Sequence, residues 1–324
     1  MSESELVSAV IPTRNRPDLV QRAVLSALHQ THAHLEVIVI IDGKDRSTED
    51  SLAQINDMRL KVISLAVNVG GAEARNIGVQ SARGAWIAFL DDDDEWLPRK
   101  VAMQWRLARV SEAAFPVVSS RVILRSPQQD FVGPRHLFDA DEAISEYLFC
   151  RRHPTDGPYA MQTSTLFMRR ETMLVIPFRA GLKRHQDWDW LLRASSHPDV
   201  SLQTIPEPLT IFRVEDARTS VGRALDWEFS LQWAREMQPY FTPRAYSFFM
   251  ATECFSRALK KRAGVIAYAQ LLREYAARGS PSLSSLWWLA AFACIPTRLR
   301  VRVRNLFRRS SASTASITAS ALKA

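Results

Sequence analysis

Two short apolar runs constrain the fold more than any other feature of the chain. Glu36-Val37-Ile38-Val39-Ile40-Ile41 and Ala85-Trp86-Ile87-Ala88-Phe89-Leu90 are too short for ordinary helices and too continuously apolar to leave one face in water. Each therefore reads as a strand covered on both sides, the signature of a parallel sheet. Val7-Ser8-Ala9-Val10-Ile11 and Leu60 to Leu65 are further short β-branched runs that read as strands. Between the first two strands, Leu19, Val20, Ala23, Val24, Ala27 and Leu28 recur with the helical period from near Pro17 and give one apolar face. Strands joined by helices of this length make right-handed crossovers, so the fold class is α/β with a mostly parallel, Rossmann-like central sheet flanked by helices.

The pattern continues less regularly. A helix is expected from Trp96 to about Val110, strands over Pro116 to Leu124, Thr163 to Met168 and Leu202 to Phe212, and a short helix from about Gln186. Pro127 to Pro158 has weak periodicity and no assignable order. From about Gly222 the chain turns helical and aromatic, and it ends in SSASTASITASALKA, a low-complexity stretch expected to be a loose tail. The expected organisation is an α/β domain over 1–218, a helical region over 219–309 and a disordered tail over 310–324.

Composition excludes several classes. With 47% hydrophobic and 23% charged residues, the 324-residue chain is neither largely disordered nor fibrous. The formal net charge is +8, but from Thr297 onward six arginines and Lys323 meet no acid, so the remainder is nearly neutral. A basic tail can serve nucleic acid or an anionic membrane. No helix-turn-helix, zinc-finger or RNA-recognition pattern accompanies it, so nucleic acid is not an expected partner. Cys150, Cys254 and Cys294 are too far apart for a metal or redox pair and fit a reducing, cytoplasmic setting. The start, MSESELVSAVIP, lacks a secretory pattern, and the longest strongly apolar run, Leu286 to Pro296, is about half the roughly 20 residues needed to cross a bilayer.

The chemistry is concentrated where strands end. In GAWIAFLDDDDEWLP, Gly84 to Pro98, an apolar strand runs directly into Asp91, Asp92, Asp93, Asp94 and Glu95. Ligands of open parallel sheets bind beyond the carboxyl ends of the strands. Consecutive carboxylates there suit a hard cation and its diphosphate, whereas elsewhere they would be a solvated acidic turn. The first strand leaves through Pro12-Thr13-Arg14-Asn15 and the second through Asp42-Gly43, toward the same edge. Asn68 to Gly78, NVGGAEARNIG, turns into a helix carrying Arg75 and Asn76. Taken alone, Asp42-Gly43 is equally a turn, and Arg75 equally half of a surface ion pair.

Together, PTRN at Pro12, EVIVIIDG at Glu36, NVGGAEARNIG at Asn68, GAWIAFLDDDDEWLP at Gly84 and HQDWDWLLRA at His185 resemble family 2 inverting glycosyltransferases of the GT-A fold, over roughly Val7 to Phe212. The resemblance implies transfer of a sugar from a nucleoside-diphosphate-sugar donor to a glycan or lipid-linked acceptor, in cell-surface polysaccharide or glycoconjugate synthesis. Thr13 and Asp42 are then expected to line the nucleobase pocket and Arg75 to lie near the nucleotide. Asp91 and Asp93 match the two carboxylates of an Asp-x-Asp motif for Mg²⁺ or Mn²⁺, with Asp91 also on the ribose side and Asp92 in the variable position between them. Asp187 matches the general base. Two departures stand out: one acid rather than two at Ile41-Asp42-Gly43-Lys44, and Gln186-Asp187 where the family has Glu-Asp. They leave a catalytically silent nucleotide-sugar-binding or scaffold protein as the alternative.

Around Asp187, helical spacing predicts a buried face of Trp188, Leu191 and Leu192, and an Asp189–Arg193 pair at i, i+4. Near the C-terminus, Leu286-Trp287-Trp288-Leu289-Ala290-Ala291-Phe292 followed by alternating arginines has the composition of an interfacial anchor. Peripheral contact with the cytoplasmic face of an anionic inner membrane and docking on the catalytic domain both fit that composition.

Overall fold

In the computed structural model, residues 5–126, 130–151, 161–213 and 226–294 are described. The basic stretch from Arg298 and the expected disordered tail lie outside them. The chain falls into two compact units, Met1–Glu142 with Tyr159–Gly222, and Ala143–Pro158 with Arg223–Ala324.

In chain order the first unit begins β1 (Val7–Thr13), α1 (Pro17–Leu28), β2 (Leu35–Ile41), α2 (Arg46–Leu52), β3 (Leu60–Ser64), α3 (Gly71–Ser81), β4 (Trp86–Phe89), β5 (Asp94–Trp96), α4 (Lys100–Ala108), β6 (Phe115–Arg125) and β7 (Asp130–Gly133). After α5 (Ile144–Phe149), which belongs to the second unit, the first resumes with β8 (Phe167–Arg169), α6 (Arg170–Val175), α7 (Gln186–Ser195) and β9 (Val200–Arg213). The sheet order is β3-β2-β1-β4-β8-β6-β9-β5, with β7 beside β6. β3, β2, β1 and β4 are mutually parallel, β8 is antiparallel to β4 and β6, and β9 is parallel to β6.

Every residue of β1 and β2 is buried, as their continuous apolarity requires. Val7, Ala9, Ile11, Val37, Val39 and Ile41 pack under Val20, Ala23, Val24 and Ala27 of α1. Pro17 supplies the preset first turn of that helix and Asp18 favours its dipole. The opposite face lies against α3. A Cβ at Gly78 would stand 2.3 Å from Val10 Cγ1, so only glycine lets that helix sit so close to β1.

Three expectations change in detail. The segment Thr163 to Met168 is a single 3-10 turn, Thr163–Thr165, followed by the short strand β8. Asp94 to Trp96 forms β5, pairing antiparallel with β9. In α7 the fully buried tryptophan is Trp190, whose indole donates to Ile176 O at 2.7 Å, while Trp188 is only partly buried and stacks on His185.

The second unit joins α5 to α8 (Trp227–Glu236), α9 (Pro243–Phe249), the π-helical turn Met250–Phe255, α10 (Ser256–Lys261), α11 (Val265–Arg278) and α12 (Leu283–Cys294). Its core is aromatic: Phe149 stacks on Phe241 and meets Phe249 edge-on, with Trp233 against both. The weakly periodic segment before residue 158 is tied in at Thr242, whose N–H donates to Ser145 Oγ and whose hydroxyl donates to Glu146. Among the described residues no helix is long and apolar enough to cross a membrane.

Candidate active site

The sheet register assembles the site. Thr13 pairs with Ile41, and the Asp42 N–H donates to Thr13 O at 2.9 Å, so these two residues leave their strands side by side. On the other flank Leu90 N–H donates to Val10 O, which delivers Asp91 to the same carboxyl edge.

Burial alternates along the acid run. Asp92 and Asp94 are buried, whereas Asp91, Asp93 and Glu95 are partly exposed. The two residues matching the Asp-x-Asp carboxylates therefore share the more open side, and the two between and after them point inward. Arginines from three elements and one turn balance the acids. Arg75 of α3 pairs with Asp91. Arg16, before α1, lies 2.9 Å from Asp92 and 3.3 Å from Asp93. Arg22 of α1 and Arg213 of β9 reach Glu95 at 2.9 and 2.6 Å. Asp94 instead accepts from the Ser164 hydroxyl at 2.6 Å, and that same oxygen accepts the Asp91 N–H at 3.0 Å. Burial, then the charges of Asp93 and Asp91, push the Asp94 carboxyl well above its usual range.

Asp92 is more constrained than a variable position would be. Thr13 donates to it at 2.8 Å, and burial raises its carboxyl to about 6 against the opposing pull of Arg16. Asp42 is also occupied, since its two oxygens accept the N–H groups of Val69 and Gly70 at 2.7 and 3.0 Å. That clamp shapes the loop entering α3, where Gly70 takes φ +87°, a region that favours glycine.

The far member of the site is carried by α7. Arg75 spans the gap, donating to Gln186 Oε1 at 2.8 Å while holding Asp91, and it is itself buried. A glutamine here keeps the acceptor that a glutamate would offer. The adjacent Asp187 is partly buried, and its carboxyl is pushed up to about 6, first by burial and then by the charge of Asp91. Arg75, bonded to both Asp91 and Gln186, brings the acid run and the first turn of α7 together. Asp189 pairs with Arg193 at 2.9 Å as its spacing predicts, but it also meets Arg179 and is buried, so it anchors α7.

A family model described as glycosyl transferase family 2 matches residues 8–174, just over half of the chain. The chain belongs to glycosyl transferase family 2. It is 28% identical over 248 residues to the amylovoran biosynthesis glycosyltransferase AmsB of Erwinia amylovora, covering 73% of this chain and 79% of that one. It is 36% identical over 111 residues to WfaP of Escherichia coli, named a UDP-Glc:α-D-GlcNAc-diphosphoundecaprenol β-1,3-glucosyltransferase, covering 34% of this chain and 44% of that one. Among solved structures, residues 1–349 of S. aureus TarS in complex with UDP-GlcNAc align with a TM-score of 0.55 at 16% identity, over 94% of this chain and 92% of that one. The chain spans 55% of a longer TarS structure. A Pyrobaculum calidifontis mannosyltransferase in complex with GDP-Man and Mn²⁺ aligns with a TM-score of 0.52 at 15% identity, over 99% of this chain and 81% of that one. These likenesses establish the GT-A fold.

Arg16 and Ser164 join the site without having been singled out in the sequence. Arg16 directly follows PTRN, so a basic residue at that strand end is its sequence signal. Ser164 lies in the polar run Gln162-Thr163-Ser164-Thr165, at the start of a stretch that reads as strand.

Proposed function

We propose that the chain is an inverting glycosyltransferase that moves a sugar from a nucleoside-diphosphate-sugar donor to an acceptor hydroxyl, with Asp187 as general base. The observation that carries this reading is the Arg75 bridge, which spans 111 residues of sequence to join Asp91 to the residue next to Asp187. An inverting displacement needs those two functions on opposite sides of one anomeric carbon: stabilised leaving-group charge on one, a proton acceptor on the other.

The donor set supports a divalent cation. Asp91 and Asp93 offer hard carboxylate oxygens, and no three potential ligand side chains converge among the described residues, so a cation would take most of its ligands from a diphosphate. Mg²⁺ or Mn²⁺ held there would supply Lewis-acid stabilisation of the leaving phosphate. The chain's own contribution is positional. Arg75 is placed beside the charge that develops, Thr13 and Arg16 fix Asp92, and Asp42 shapes the Val69–Gly70 loop of the nucleobase side. Asp187, raised to about 6, is still mostly ionised at neutral pH and is a stronger base than an ordinary aspartate. It accepts the proton of the acceptor hydroxyl as that oxygen attacks.

The acceptor is a glycan or a lipid-linked glycan of a cell-surface polysaccharide or glycoconjugate, a reading supported by the names of AmsB and WfaP. Peripheral contact with the cytoplasmic face of an anionic inner membrane suits it. Helix α12 leaves Leu283, Leu286 and Trp287 exposed at i, i+3 and i+4, and the sequence beyond it carries the arginine surplus. Flotation with phosphatidylglycerol vesicles is expected for the full chain and reduced by Leu286→Glu with Trp287→Glu; equal flotation of the two would remove the membrane from this account. The function itself is tested by a thermal-shift screen of nucleoside diphosphates and their sugar conjugates with and without Mn²⁺. A metal-dependent rise in melting temperature with one nucleotide class is expected, and no shift with any would contradict it.

A further inference from the structure

We infer that Arg16 is a built-in counter-cation of the metal-binding carboxylates, which a divalent ion must displace from Asp93 before it can bind. The inference rests on the donor-and-metal reading above and assigns one of its controls to a residue of this chain. Arg16 sits in the turn between β1 and α1, immediately before Pro17, and one guanidinium nitrogen, Nη1, lies between two neighbouring carboxylates. The two contacts are unequal. Asp92 lies at 2.9 Å with its side chain only 8% exposed and is held independently by Thr13, whereas Asp93 lies at 3.3 Å and is 23% exposed.

A divalent ion and a guanidinium compete for the same Asp93 lone pairs, and two cations at one carboxylate repel. The longer and wetter contact is the one that yields, while Asp92 keeps its hold. Arg16 therefore pivots rather than leaves, and its released N–H groups become donors for an anion arriving with the metal. Two consequences follow for binding. Metal alone binds weakly, because it must break an ion pair already made. Metal with a nucleoside diphosphate binds better, because the phosphates offer Arg16 a replacement partner. The site thus favours joint loading of the two ligands, and by linkage each tightens the other.

The test is a titration of Mn²⁺, read as loss of the free-ion electron paramagnetic resonance signal, on the full chain with and without UDP or GDP. Wild type is compared with Arg16→Gln, Arg16→Lys and Asp93→Asn, each checked for wild-type melting behaviour. Without nucleotide, Arg16→Gln is expected to bind Mn²⁺ about three- to tenfold more tightly, the scale of one partly exposed ion pair. Arg16→Lys, which keeps the charge on a shorter side chain, should fall between. The factor by which nucleotide tightens Mn²⁺ should be smaller in Arg16→Gln than in wild type. Unchanged or weaker Mn²⁺ binding in Arg16→Gln, with binding lost in Asp93→Asn, overturns the role of Arg16 and leaves the metal site standing. Equal binding by Asp93→Asn and wild type, or none by either even with nucleotide, overturns the metal site and this inference with it.

Discussion

The two units use charge differently. In the first, acids at a strand end meet arginines drawn from far along the chain: Arg16 and Asp92 are 76 residues apart, and Arg213 and Glu95 are 118 apart. In the second, Arg257–Glu253 and Arg278–Glu274 are local to one helix at i, i+4, Lys261–Glu228 lies in water, and Arg235–Glu274 and Arg244–Glu146 join distant residues without meeting an acid cluster. Local pairs stabilise a helix by a few tenths of a kcal/mol and need no tertiary structure. Pairs assembled across the sheet exist only once the fold is complete, and several of them meet at the edge where raised carboxyls and open acids coexist. Charge that is costly to assemble marks the chemistry.

Four measurements break or sharpen that contrast. The largest effect is expected at Asp187: Asp187→Asn should lower turnover by about 10²–10⁴-fold, the usual worth of a general base. Next, turnover should fall about tenfold per pH unit below pH 6, because Asp187 with a carboxyl near 6 takes up a proton there and stops accepting one. A flat profile between pH 5 and 7 would separate the raised carboxyl from the chemistry. Ser164→Ala removes the hydroxyl shared by Asp94 and the Asp91 N–H, and should destabilise by about 1–3 kcal/mol in denaturant unfolding. The smallest effect belongs to the second unit, where Lys261→Ala should change stability by less than about 0.5 kcal/mol, since that pair is half-exposed on both sides. A larger loss at Lys261 than at Ser164 would invert the comparison.

Much of the fold was legible because burial on both faces leaves a continuous apolar run, as in β1, β2 and β4, and because strand ends in such a sheet converge. The site was legible to the extent that its residues sit in those ends. What escaped depends on tertiary contact. Helix α2 spans only seven residues, RSTEDSL, and its helical signal is a cap, the Asp45 carboxylate accepting the Thr48 N–H, rather than an apolar face. Helix α5 is six residues long, and its attachment to Thr242 lies almost a hundred residues away. Which tryptophan of α7 faces inward is decided by the Ile176 carbonyl waiting for the Trp190 indole, a partner that spacing alone does not reveal. The inward turn of Asp92 likewise needs Thr13, 79 residues earlier.

The claim that Asp91, Asp93 and Asp187 serve one reaction is tested most directly by separating binding from turnover. Calorimetric titration of UDP or GDP with Mn²⁺ should give near wild-type affinity for Asp187→Asn and strongly weakened affinity for Asp93→Asn, while both variants lose most turnover of the nucleotide sugar that wild type uses. Near-normal turnover by Asp187→Asn, or loss of nucleotide binding in that variant alone, would contradict the account.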